Sequence, residues 1–180
     1  MTSVESLQPL LERYVPRDAD ETHELAKFKA LLSRGEPAFQ RSHFIPGHFT
    51  ASAFVTSPDR RDLLLIHHRK LQRWLQPGGH FEQDDPNPLA AALREVEEEV
   101  GIEPSRLEVA DELFDIDIHR IPANPKEPTH HHFDLRFLFV GRSREFVRGD
   151  EVADARWWPL EKIREADHDR SLQRAVGKLF

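Results

Sequence analysis

Residues 78–102 read GGHFEQDDPNPLAAALREVEEEVGI, a Gly-rich turn followed by a short helix carrying Arg94, Glu95, Glu98 and Glu99. At about 100° per residue, Glu95, Glu98 and Glu99 share roughly a quarter turn of an α-helix. Leu89, Leu93, Val96 and Val100 fall on a different face, suited to packing against a sheet. Three carboxylates crowded on one arc repel one another. A hard divalent cation removes that penalty, and oxygen donors of this kind suit Mg²⁺ or Mn²⁺. Asn87 followed by Pro88 supplies an N-cap and a first helical residue. As a bare charge run, the same residues would also describe a solvated helix face laced with ion pairs.

The segment resembles the signature of the Nudix hydrolases: Gly, five residues, Glu, seven residues, Arg-Glu, an aliphatic, any residue, Glu-Glu, any residue, Gly, an aliphatic. Arg94, Glu95, Val96, Glu98, Glu99, Gly101 and Ile102 match its second half without a gap. The first half departs from it. Counting from Gly79, Asp85 stands where the family has Glu, and eight residues rather than seven separate it from Arg94. The extra residue falls before the helix, so the glutamates keep their register and only the part played by Asp85 is left open. The runs TASA, HHRKLQRWLQPGGH, DIDIHRIPA and HHHFDLRFLF extend the likeness over roughly residues 44–160, towards a bacterial subgroup of unassigned substrate.

The resemblance implies an α/β/α sandwich with a mixed sheet and metal-dependent hydrolysis of a diphosphate linkage in a nucleoside diphosphate derivative or a nucleoside triphosphate. Carried over position by position, Glu95, Glu98 and Glu99 are metal ligands, with the Gly79 carbonyl a possible fourth. Glu82 matches a further acidic position of many members. Arg94 is expected to hold a box glutamate through a bidentate ion pair. Family members differ in their general base, which is either a box glutamate or a carboxylate on a loop near the last strand; here Asp150 and Glu151 occupy such a loop. The family also implies a homodimer.

Composition sets bounds on these expectations. The 180 residues suit one catalytic domain, residues 44–180, behind a helical extension, residues 1–43. No run is long enough to span a membrane, and the N-terminus lacks a basic region leading into an apolar stretch, so the cytoplasm is the expected compartment. A net charge of −7 argues against non-specific nucleic-acid binding but does not oppose a small phosphorylated substrate. The chain has no cysteine. That argues against a prenyl diphosphate isomerase of the same superfamily, which needs one. A non-catalytic nucleotide sensor on the same fold is the remaining alternative, and it would be expected to have lost a box glutamate.

Two amphipathic stretches open the chain, Val4–Tyr14 and Asp20–Ser33. Pro9 suggests that the first helix starts only there, and Asp20 or Thr22 is a candidate cap for the second. Their apolar faces are candidates for a dimer contact. Strands are expected at 50–56, 63–67, 74–76, 107–113, 114–120, 131–140 and 155–158. In the 131–140 strand Phe133, Leu135, Phe137 and Phe139 alternate with His132, Asp134 and Arg136. His132, Asp134 and His119 are thus candidates for substrate binding. Three readings of the histidine cluster His130–His132 stand side by side: a solvated loop with one hydrogen-bonded histidine, contacts to substrate phosphate or base, and a second metal site. His67, His68 and His80 are further candidates, and Trp74 is placed either to stack on a base or to pack. Markers of particular substrate classes are missing: the sole tyrosine is Tyr14, and Pro122 and Pro125 lie too far along for the ADP-ribose class.

Overall fold

A computed structural model describes residues 2–69, 71–165 and 170–180. Chain contacts divide it into two compact units. One comprises Met1–Ser52, Gly78–Ala92 and Asp111–Phe137, the other Ala53–Pro77, Leu93–Ala110 and Leu138–Phe180.

The first unit begins with helices α1 (Val4–Arg13) and α2 (Ala19–Leu32). Helix α1 starts before Pro9, contrary to expectation, because Ser3 and Ser6 form a reciprocal capping box at its N-terminus. Helix α2 is capped by Asp18 rather than Asp20 or Thr22: the Asp18 carboxylate accepts the Glu21 N–H at 2.8 Å. That leaves Asp20 and Glu21 in the first turn, where negative charge suits the helix dipole. The apolar stripes of these helices are used internally. Leu7, Leu11, Phe28 and Leu31 are buried, and the Phe28 ring packs against Phe49 at 6.0 Å and edge-on to Phe133 at 5.3 Å. The expected spare faces for a dimer contact are therefore already covered by the chain itself.

Strand β1 (Gly47–Thr56) runs from the first unit into the second, as does β7 (His130–Gly141). Within the first unit β1 pairs antiparallel with the short strand β4 (Gly78–His80), where a turn alone had been expected. The backbones meet so closely that a Cβ on Gly78 would lie 2.3 Å from that of Ser52. Strand β6 (Asp115–Ile121) pairs antiparallel with β7, placing Asp115, Asp117 and His119 opposite Arg136, Asp134 and His132. Contacts between β1 and β7 advance together along both strands, from Pro46 with His131 to Ser52 with Asp134, so these two strands run parallel and the sheet is mixed.

In the second unit β2 (Asp62–His68) pairs with β1, with β3 (Arg73–Leu75) and along its whole length with β8 (Val152–Pro159). Its run Leu63–Ile66 is buried on both faces. Strand β5 (Leu107–Val109) pairs with the end of β7 and is shorter than expected: the pairing stops at Val109, and Ala110, Asp111 and Glu112 are exposed outside it. The acidic helix is α3 (Pro88–Val100), its N-terminus capped as expected by the Asn87 side chain, which accepts the Ala90 N–H at 2.9 Å. Helices α4 (Leu160–Glu165) and α5 (Arg170–Gly177) close the chain. No described helix is long and apolar enough to cross a membrane.

Candidate active site

The second unit holds Arg94, Glu95, Glu98, Glu99 and Glu151. On α3, Val96 and Val100 are wholly buried, which turns the glutamate arc away from the core: Glu98 is exposed, Glu95 and Glu99 half-buried. Arg94 bridges two of them, one Nη lying 3.0 Å from a Glu95 carboxylate oxygen and 2.9 Å from one of Glu98. It thus offsets the repulsion along the arc by linking neighbouring carboxylates, where a bidentate grip on one had been expected.

The C-terminal turn of α3 is sewn to the loop that leads into β8. Gly149 donates its N–H to the Glu99 carbonyl at 2.8 Å, and Val147 donates to the Val100 carbonyl at 2.9 Å. Both carbonyls belong to the last turn, which lacks intrahelical donors. Gly101 ends the helix at φ 61°, and a Cβ there would meet the Val147 carbonyl oxygen at 2.9 Å. The glycine of the motif therefore serves both the helix stop and the docking of this loop. Glu151 is exposed and sits two residues beyond Gly149, so the same two hydrogen bonds tether it to the turn bearing Glu98 and Glu99.

Trp74 lies in this unit too. Its ring is edge-on to Trp158 at 5.3 Å and has the Arg156 guanidinium over it at 5.3 Å, with His67 also at 5.3 Å. These contacts fit the packing reading of Trp74.

Gly79, His119, His132 and Asp134 belong to the first unit. Gly79 pairs with Ala51 in the β1–β4 ladder. The alternation expected of β7 holds, with Phe133, Leu135 and Phe137 buried on one face. The opposite face is polar yet equally enclosed. Asp134 accepts hydrogen bonds from Thr50 at 3.1 Å, Ser52 at 2.7 Å and the Arg136 Nε at 3.0 Å. Arg136 spreads its other nitrogens to Asp115 at 3.1 Å and Asp117 at 3.2 Å. Burial opposes the charge on Arg136, but Asp117, Asp134 and Asp115 together hold its pKa above the ordinary range. Asp134 is thus engaged by three donors inside the fold, and the segments DIDIH and HHHFDLR form one ladder of buried ions.

Beyond this network the face continues into imidazoles. The His132 ring lies 4.8 Å from His48, 4.9 Å from His80 and 5.3 Å from both His119 and His130. His48 and His130 are buried. Burial lowers the pKa of His48 to about 4 against the opposing pull of the His43 carbonyl, with His130 adding to the depression. Burial, then His48, lowers His80 to about 4. His132 falls to about 2 through burial and then its neighbours His119, His80, His48 and His130. His48, His80 and His132 are thus held neutral at neutral pH, and His130 is buried with its Nδ1 2.8 Å from the Pro128 carbonyl oxygen. His48 is absent from the sequence-derived candidates; only the pairing of β1 with β7 brings it to His130 and His132.

Asp85, the departure from the motif, is buried. Its carboxylate accepts the Glu82 N–H at 2.8 Å and its carbonyl accepts the Thr2 hydroxyl at 3.0 Å, so it organises the loop ahead of α3.

The NUDIX domain family model matches residues 46–177. No curated protein matches the sequence. Among solved structures, a NUDIX-family hydrolase from Clostridium perfringens is similar at 25% identity and TM-score 0.54, over 73% of this chain and 95% of that one. An Ap4A hydrolase of C. elegans has 16% identity and TM-score 0.60, over 72% and 93%. The dihydroneopterin triphosphate pyrophosphohydrolase of E. coli has 18% identity and TM-score 0.57, over 72% and 92%. The last two likenesses bear on fold alone. The family match runs through the acidic helix and the loop tied to it and covers most of the 180 residues, so the chain belongs to the NUDIX domain family and is a hydrolase of that family.

Proposed function

We propose that this protein hydrolyses a diphosphate linkage in a nucleoside diphosphate derivative or a nucleoside triphosphate, with Mg²⁺ or Mn²⁺ held by Glu95, Glu98 and Glu99. The observation that carries this reading is the tether between the Glu98–Glu99 turn and the Glu151 loop. It joins the loop that carries Glu151 to the helix turn that carries Glu98 and Glu99, which supports a shared role for these acids.

The donor set fits a hard divalent ion, being three carboxylates on one arc with the least buried, Glu98, reaching solvent. When bound, such an ion would neutralise charge on the diphosphate oxygens. Arg94 acts as a positioning residue, holding Glu95 and Glu98 in one orientation. Glu151 is the proposed general base, accepting a proton from the attacking water as the phosphorus–oxygen bond breaks. Asp134 supports the fold through Arg136 and is not proposed to touch substrate. The sensing alternative expects a missing box glutamate, and all three stand in this chain.

Residues 1–43 are proposed as a helical extension of a hydrolase domain at 44–180, working in the cytoplasm on a small phosphorylated molecule, without nucleic acid, as a homodimer. The test is release of phosphate or nucleotide from a panel of nucleoside diphosphate derivatives and triphosphates, with Mg²⁺ and with Mn²⁺. Activity on at least one compound, abolished by chelation, is expected. No release from any compound would overturn the reading.

A further inference from the structure

The ring of His48 has a nitrogen that the fold leaves unused. Its Nδ1 lies 3.2 Å from the His43 carbonyl oxygen, so Nδ1 carries the proton and donates it. The lone pair is then on Nε2, which is buried and has no hydrogen-bond partner among the described residues. A buried acceptor without a partner costs free energy unless something takes it up.

His130 repeats the arrangement. Its Nδ1 lies 2.8 Å from the Pro128 carbonyl oxygen, which again puts the lone pair on Nε2. His132 stands two residues further along β7 on the same face. One ring nitrogen from each of His48, His130 and His132 can be chosen so that all three lie within 4.8 Å of one another. Three atoms so spaced fit a sphere of radius at most about 2.8 Å, and a Zn–N bond is about 2.0–2.1 Å, so a contraction of under about 1 Å closes the site.

We propose that His48, His130 and His132 bind a divalent transition-metal ion of the Zn²⁺ class. Three imidazole nitrogens without a carboxylate suit Zn²⁺, Co²⁺ or Ni²⁺ and do not suit Mg²⁺, which takes oxygen donors. Two of the three ligands already give their other N–H to a backbone carbonyl, the outer arrangement that fixes tautomer and ring direction in histidine metal sites. The ligands sit on sheet strands, two on β7 and one on β1. Gly47 permits their approach, because a Cβ on it would lie 1.8 Å from the His131 carbonyl oxygen. Three protein ligands leave one tetrahedral position for water.

The test is titration of the full, chelator-stripped chain with Co²⁺ in excess Mg²⁺, followed by visible absorption and by competition with Zn²⁺. One equivalent of Co²⁺ should bind with a tetrahedral spectrum and be displaced by Zn²⁺. His132→Asn and His130→Gln should each weaken binding more than about 100-fold, beyond the loss typical of an outer partner. Glu98→Gln should leave it unchanged. His48 is so buried that its variants risk unfolding; His132 is half-buried, and circular dichroism checks its fold. Absence of stoichiometric Co²⁺ binding by the wild-type chain overturns the proposal. So does binding retained by folded His132→Asn, or lost in Glu98→Gln.

Discussion

Gly149 donates its backbone N–H to the Glu99 carbonyl at 2.8 Å, at a separation where a side chain has no room: a Cβ on Gly149 would lie 2.1 Å from the Glu98 carbonyl oxygen. Gly149→Ala must therefore push the loop off the helix. Overpacking of this kind costs about 1–3 kcal/mol, and at roughly 2–4 °C per kcal/mol the melting temperature should fall by several degrees. Turnover should fall with it, since Glu151 loses its attachment. Unchanged melting and turnover would separate the loop from the mechanism.

Glu98→Gln and Glu151→Gln should fail differently. The first should weaken the rise in melting temperature caused by Mg²⁺, because an ion that binds only the folded chain stabilises it. The second should leave that rise intact while lowering kcat about 10²–10⁴-fold, the usual contribution of a general base. A Glu151→Gln enzyme with wild-type kcat would return the role of base to a box glutamate.

Arg136→Met should be among the most destabilising single changes. It leaves Asp115, Asp117 and Asp134 buried without their shared cation, and breaking a buried ion cluster from one side costs about 3–5 kcal/mol. Urea unfolding measures this. A loss under about 1 kcal/mol would show that the carboxylates find other relief.

Acid should destabilise the chelator-treated protein well before its carboxylates titrate. His48 and His80 are lowered to about 4 and His132 to about 2 from an ordinary 6.5, with Arg41 lowering and Glu127 raising the first two. Below pH 6.5 the unfolded chain binds more protons than the folded one, so stability falls as pH falls and is full above that value. The limiting slope is about 1.4 kcal/mol per pH unit for each histidine. Stability that stays flat from pH 7 to about 5 would contradict rings held neutral by the fold.

Phe28→Ala tests whether the N-terminal helices are core. Phe28 is fully buried against Phe49 and Phe133, and such truncations cost about 3–5 kcal/mol. Sedimentation of the same variant should show no change in assembly, since these apolar faces are covered by the chain itself. A change in assembly without loss of stability would restore them as a subunit contact.

Much of the α3 region could be read directly from residue order, because its information is local. The spacing of Glu95, Glu98 and Glu99 sets a helical arc, Asn87-Pro88 sets its start and Gly101 its end. Alternation along β7 likewise separates Phe133 and Leu135 from His132 and Asp134 before any partner is known. What residue order could not supply is which strand lies alongside. The parallel approach of β1 to β7 encloses Asp134, a substrate-binding candidate by residue order, with Thr50, Ser52 and Arg136 as a buried ion. The same approach, allowed by the bare backbone of Gly47, joins His48 to His130 and His132. Local periodicity determines which face a side chain takes; only tertiary packing decides whether that face meets water, an ion or the rest of the chain.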